Sequence, residues 1–124
     1  MDKIIGGRLA AEALIERDVD YIFSLSGGHI TPIYQFLENS RITIFDTRHE
    51  QAAVFMAEAW GKLTRKPGVA LVTAGPGFSN SISAITSAFG RSQFSFEKAY
   101  NVKCLIPNSA LTSAICFTVF TPLR

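Results

Sequence analysis

Apolar and polar positions along the first ninety residues follow two rhythms. Leu9, Ala10, Ala13 and Leu14 recur at helical spacing between Arg8, Glu12, Glu16 and Arg17, which predicts an amphipathic helix from about Gly7 to Arg17. Tyr21-Ile22-Phe23-Ser24-Leu25 is a short apolar run that stops at the turn signal Ser26-Gly27-Gly28, as a buried strand would. Ile30, Ile33, Tyr34 and Leu37 mark a short helix, with Pro32 in its tolerant first turn. Ile42-Thr43-Ile44-Phe45 reads as a second strand. Gln51 to Leu63 reads as a long helix with Ala53, Met56, Ala57, Trp60 and Leu63 on one face, stopped by Arg65-Lys66-Pro67-Gly68. Val69-Ala70-Leu71-Val72 is a third strand. A helix capped by Ser79 or Asn80 then runs to about Ala88, with Ile82 and Ile85 facing inward.

Continuous apolar strands alternating with helices predict a three-layer α/β fold around a mostly parallel sheet, covered on both faces by helices. In such sheets ligands bind outside the carboxyl ends of the strands. The loops at residues 26–29, 46–50 and 73–80 all leave from those ends, so they should share one edge of the molecule. Past residue 88 the pattern changes; as the alternative to a truncated or frame-shifted ending, a divergent one would still supply strands, at Val102–Ile106 and Ala114–Phe120.

Composition narrows the function classes. The chain has 124 residues, enough for one domain or part of one, and the expected sheet is incomplete. With 48% hydrophobic and 18% charged residues it is globular. A net charge of +2, with scattered Lys and Arg, argues against a nucleic-acid partner. Cys104 and Cys116 form neither a disulfide framework nor a metal-ligand spacing, and no metal site is expected. The start of the sequence has no secretory pattern. The one apolar stretch of spanning length, Cys104 to Leu123, is broken by Pro107 and diluted by Ser, Thr and Asn, so no membrane span is expected. A cytoplasmic location follows as the expectation.

Glu50 is the first candidate for chemistry. It starts a helix, where the dipole favours an anion. In the plain structural reading it does only that. Ala52, Ala53 and Val54 follow directly, however, and an enclosed apolar setting favours a carboxyl group that shares a proton with a ring nitrogen. Gly75-Pro76-Gly77 is the second candidate, because two glycines let bare backbone approach a ligand and proline stiffens the loop. An ordinary strand-to-helix turn would also hold glycine, and no Walker sequence follows. Ser26-Gly27-Gly28-His29 is the third. A histidine can serve as a proton relay, so His29 could face a substrate, or simply be solvated. His49 should orient or pack, and Arg48 is a surface charge or an anion anchor. A dinucleotide site fits poorly, since Gly27-Gly28 is not G-x-G-x-x-G.

These loops resemble the N-terminal, pyrimidine-binding domain of thiamine-diphosphate enzymes, in the acetolactate synthase-like branch that also holds benzaldehyde lyase-like and 2-hydroxyacyl-CoA lyase-like proteins. The residues that carry the likeness are Phe23 to His29, Asp46-Thr47-Arg48-His49-Glu50, Ala57-Glu58-Ala59-Trp60-Gly61 and Gly68 to Gly77, with Asn80. It covers about Ile4 to Ala88. The resemblance implies that Glu50 hydrogen-bonds N1′ of the cofactor aminopyrimidine and so promotes proton removal at the thiazolium C2. It implies that Ser26, Gly27, Thr73, Gly75, Pro76, Gly77 and Asn80 line the pyrimidine pocket, and that His29 faces the reacting carbonyl of a 2-keto acid or aldehyde.

The family holds the diphosphate and Mg²⁺ on another domain, marked by Gly-Asp-Gly, and that triplet does not occur here. Relatives are longer and homo-oligomeric, with the pyrimidine domain of one subunit meeting the diphosphate domain of the other. The resemblance therefore implies residues 1–88 as a partial pyrimidine-binding domain and 89–124 as a divergent tail, in a truncated or frame-shifted product that needs a diphosphate-binding domain or second subunit. FAD, bound by some relatives, has no support in the residues. The alternatives are a catalytically inactive truncated product and a non-enzymatic α/β module that binds a nucleotide or a protein.

Overall fold

The computed structural model describes residues 6–94, 100–105 and 116–122. The elements run α1 (Gly6–Glu16), β1 (Tyr21–Ser24), α2 (Thr31–Leu37), β2 (Thr43–Asp46), α3 (Glu50–Thr64), β3 (Gly68–Val72), α4 (Pro76–Phe94), β4 (Tyr100–Leu105) and β5 (Cys116–Pro122). They form one five-stranded sheet in the order β2-β1-β3-β5-β4. The first three strands are parallel, with Phe23 opposite Phe45 on one side and Ala70 on the other. The remaining two are antiparallel: β5 returns along β3, with Ala70 opposite Thr118, and β4 pairs with β5. The tail thus supplies the two expected strands, with bounds shifted by a residue or two; residues 106 and 114–115 of the expected spans lie outside the described residues.

Strand pleating sorts the core into two layers. Ile22, Val69 and Leu71 point into one cluster with Ala11 and Leu14 of α1, and Ile33 and Leu37 of α2. Phe23 and Ala70 point the other way, against Ala53, Val54 and Ala57 of α3 and Ala84 and Ala88 of α4. Successive residues of β1 and β3 are therefore buried on opposite faces, which is why those strands read as continuous apolar runs. Each fully buried Val, Leu or Ile contributes roughly 1.5–3 kcal/mol.

Several helix faces differ from the expected ones. On α1 the buried stripe is Gly7, Ala11 and Leu14, while Leu9 is 54% exposed. The cause is the contact with α2: a Cβ on Gly7 would lie 2.7 Å from Pro32 Cβ, so α1 turns its glycine toward that helix. On α3 the inward residues are Ala53, Val54, Ala57, Glu58 and Gly61, and the expected Met56 and Leu63 are exposed. On α4 the inward residues are Ser81, Ala84 and Ala88; Ile85 packs partly, and Ile82 faces out. Small residues win on both helices because they let the helix sit close to the sheet. Buried Glu58 is ion-paired to Lys62 one turn on.

Two boundaries also move. β2 forms where expected, but all four of its residues are exposed because it is the edge strand, and Phe45 is shielded only in part by stacking on Phe23. α4 begins at Pro76, with Ser79 N–H bonded to Gly75 O at 3.0 Å, and continues past Ala88 to Phe94. Ser79 and Asn80 therefore lie inside the helix rather than at its cap. Among the described residues no helix is long and apolar enough to cross a membrane.

Candidate functional site

The three loops at the carboxyl ends of β1, β2 and β3 meet at one edge, as the parallel order β2-β1-β3 requires. The loop after β2 is the most tightly specified. Thr47 N–H donates to Ser24 O at 2.7 Å, and Thr47 Oγ1 lies 3.1 Å from both Ser24 O and His49 O. His49 is the extended N-cap of α3, and its Nδ1 accepts from Gln51 N–H at 3.1 Å. His49 is thus a cap, with Arg48 exposed beside it.

Capping puts Glu50 at the first position of α3, where helix N–H groups favour an anion. Its side chain is 8% exposed. Asn80 Nδ2, from the second turn of α4, donates to Glu50 Oε2 at 3.1 Å. A second link, from Gln51 Nε2 to Ser83 Oγ, ties the same two helices. Glu50 Oε1 has no hydrogen-bond partner among the described residues. It is not sealed off, for the only unpartnered buried side-chain polar atom among them is Trp60 Nε1. One carboxylate oxygen is therefore fixed and the other is available to a ligand.

The glycines divide into two kinds. Gly75 has φ +68°, and a Cβ there would meet nothing within 4 Å, so bare backbone borders open space one turn before Asn80. Pro76 follows as an exposed first residue of α4. Gly77 is buried, and its Cβ would come within 3.0 Å of Thr73 Cγ2. Its role is close packing of α4 on the end of β3. Gly27 likewise closes on Thr73, where a Cβ would lie 2.7 Å from Thr73 Cβ. That contact joins the first and third loops. His29 reinforces it, with Nδ1 3.2 Å from Thr73 Oγ1 while the ring stays exposed. Ser26 is exposed on the same loop. The fold thus links Glu50 to Asn80, on the helix that Gly75 precedes, and ties both His29 and Gly27 to Thr73.

Thr47, Ser24 and Tyr34 were not apparent as site residues from the sequence. Ser24 is 1% exposed, and its hydroxyl donates to Leu71 O. It has one proton, so Tyr34 O–H must be the donor in the 2.6 Å contact between the two hydroxyls. The only sequence signal was a polar residue ending each apolar run. Burial pushes the Tyr34 phenol above its usual 10.0; the Ser24 hydrogen bond offsets part of this, and nearby Asp46 adds to it. A raised folded-state value favours the protonated form, so the stability it brings is complete below about pH 10 and is lost as pH rises through the folded value. Alkaline melting curves should show this loss in the natural chain and much less of it in Tyr34→Phe.

A cavity of about 420 Å³ also exists, lined by Asp20, Tyr21, Arg41, Thr43 and Trp60 among others. It opens at the amino ends of the strands and shares no residue with the three loops. The Lys66–Asp20 ion pair at 2.5 Å already occupies its rim. It is not the candidate site. No group of His, Cys, Asp and Glu suited to a metal ion occurs among the described residues.

Comparison with known proteins gives the family. Residues 4–93 match the family model of the thiamine pyrophosphate enzyme, N-terminal TPP binding domain. The chain is 51% identical over 82 residues to the acetolactate synthase large subunit IlvG of Mycobacterium tuberculosis, covering 66% of this chain and 15% of that protein. It is 52% identical over 83 residues to 2-hydroxyacyl-CoA lyase 2 of Caenorhabditis elegans and 46% identical over 83 residues to that of Homo sapiens, in each case covering 67% of this chain and 13% of the relative. The matched part is thus a small fraction of each curated relative. The chain belongs to the thiamine pyrophosphate enzymes, in which its matching residues form the N-terminal TPP-binding domain.

Proposed function

We propose that this chain supplies the aminopyrimidine half-site of an acetolactate synthase-like carboligase or lyase acting on 2-keto acids or related carbonyls, a transferase- or lyase-type activity in the cytoplasm. The observation that carries the reading is the Glu50 carboxylate: buried, fixed on one oxygen by Asn80 and open on the other, with Asn80 on the helix that the bare backbone of Gly75 precedes. A flat, polar heterocycle with a ring nitrogen fits that arrangement. Glu50 would hold the ring nitrogen and exchange its proton. Gly75 and Pro76 would border one face, and Gly27 and Thr73 would close the base, with Ser26 at the rim. Asn80 would keep the carboxylate aimed. His29, exposed and steadied by Thr73, would meet the substrate carbonyl as a donor or proton relay. Bound thiamine diphosphate supplies the carbon nucleophile and the electron sink.

The diphosphate and Mg²⁺ fall to a partner domain or second subunit, because Gly-Asp-Gly is absent from the 124 residues. We assign its seat to the outer side of α3, where Ala52, Phe55, Met56, Ala59 and Leu63 are all exposed and uncharged. That surface continues from the helix start that carries Glu50. The domain would then comprise residues 1–88, with 89–124 as its divergent tail.

The test is reconstitution. The chain, mixed with a diphosphate-binding domain from an acetolactate synthase-like relative, thiamine diphosphate and Mg²⁺, should turn over a 2-keto acid, whereas either part alone should not. Failure of every such domain to restore turnover would leave the inactive-product reading. Tight binding of a nucleotide by the lone chain would favour a binding module instead.

A further inference from the structure

Glu50 can exchange a proton with a ring only if its carboxylate is held to within a fraction of an ångström, and its own helix start does not guarantee that. The loop before it, Thr47-Arg48-His49, leaves an edge strand whose residues are all exposed. Something must tie this loop to the interior. We propose that Thr47 is the positioning residue for Glu50, acting through its side-chain hydroxyl.

Thr47 is 5% exposed, and its hydroxyl lies between two carbonyls, Ser24 O at the end of β1 and His49 O at the N-cap of α3. Neither carbonyl needs it for hydrogen bonding. Ser24 O already accepts Thr47 N–H at 2.7 Å, and His49 O already accepts Ala52 N–H at 3.1 Å and Ala53 N–H at 3.3 Å. Removing the hydroxyl therefore orphans no backbone group, so the usual cost of a lost buried hydrogen bond is small here. The hydroxyl has one proton, shared between the two carbonyls as a three-centre bond, and that bond sets the distance between the strand end and the helix start. Its anchor is rigid in turn. Ser24 is braced to β3 through Leu71 O and to α2 through Tyr34. Leu71 lies two residues before Thr73, which holds Gly27 and His29. One buried pair, Ser24 and Thr47, thus references the carboxylate to both neighbouring loops.

Thr47→Val keeps the branched shape and removes only the hydroxyl, while Thr47→Ser keeps the hydroxyl. The first readout needs no ligand: solvent exchange of the Asn80 Nδ2 protons, followed by NMR in the full chain, reports the Glu50–Asn80 hydrogen bond. Thr47→Val should speed that exchange about fivefold or more, Thr47→Ser should leave it near the natural rate, and both melting midpoints should stay within about 5 °C of the natural chain. Unchanged exchange in Thr47→Val, or faster exchange accompanied by a large drop in melting midpoint, would overturn the proposal.

The second readout rests on the reading of Glu50 given above, and uses the 4-aminopyrimidine half of thiamine as probe. Binding should weaken about tenfold in Thr47→Val and recover in Thr47→Ser. Equal binding in Thr47→Val overturns the positioning role alone. A natural chain that does not bind the probe, or binds it no better than Glu50→Gln does, overturns the half-site reading, and the Asn80 exchange still decides the role of Thr47.

Discussion

Glu50→Gln is expected to lower turnover of the reconstituted enzyme by about 10²–10⁴-fold, the range for a positioned proton-transfer group. Its fold should survive. Glutamine has nearly the same volume, and its amide oxygen can still accept the Asn80 hydrogen bond that Oε2 accepts now. The amide cannot take up or release the proton, so the loss falls on the chemical step. Turnover number should therefore drop far more than apparent cofactor affinity. Parallel steady-state kinetics and melting curves check this. A Glu50→Gln enzyme with more than about a tenth of the natural turnover would mean that the buried carboxylate serves only the helix start. Glu50→Ala makes a poorer test, because it also frees Asn80 and opens a space between α3 and α4.

Gly68→Ala should be the most damaging single substitution for stability. A Cβ at Gly68 would lie 1.9 Å from Ala57 O and 2.8 Å from Ala57 C, both backbone atoms of α3. No side chain can rotate away to relieve that contact. Ala57 is fully buried, with Phe23, Val54 and Ala70 in the same cluster, so α3 would have to move off the sheet by roughly an ångström. Overpacking of this kind costs about 1–3 kcal/mol and sometimes more; with backbone on the receiving side, the expected cost is at least ~3 kcal/mol. Against a total stability of about 5–15 kcal/mol, that is a large share. Denaturant midpoints should show it, and Gly6→Ala is the control, since a Cβ there meets nothing within 4 Å. Equal midpoints for the two variants would show that α3 and β3 are not packed as described. The same shift of α3 would carry Glu50 with it, so Gly68→Ala should also lose the aminopyrimidine probe.

The legible part of the site was its list of loops. Glu50, His29 and Gly75 stand out because each lies in a loop that follows an apolar run, and a parallel sheet sends all such loops to one edge; Asn80 entered the site only through the resemblance. Their pairing was not legible. Asn80 read as a helix cap, yet α4 starts four residues earlier and leaves its side chain free to hold Glu50. Gly77 read as ligand-facing backbone, yet it packs on Thr73, and of the two glycines in that loop only Gly75 borders open space. Thr47 and Ser24 drew no notice by themselves, although the Thr47 hydroxyl meets the Ser24 carbonyl just before the helix that carries Glu50.

The sequence alone determined the alternation of strands and helices and the parallel order implied by it, because periodicity and turn chemistry act over a few residues at a time; the family came from the resemblance of the motifs around Glu50 and Gly75. Tertiary structure decided which side of each helix is inward and which strand is the edge. The run Ala52-Ala53-Val54-Phe55-Met56-Ala57 is apolar on every side, so its phase is not encoded in polarity. The sheet settles it by size, drawing Ala53, Val54 and Ala57 inward and leaving Phe55 and Met56 exposed. Likewise Ile44 and Phe45 look like core residues until β2 is found to have a neighbour on only one side.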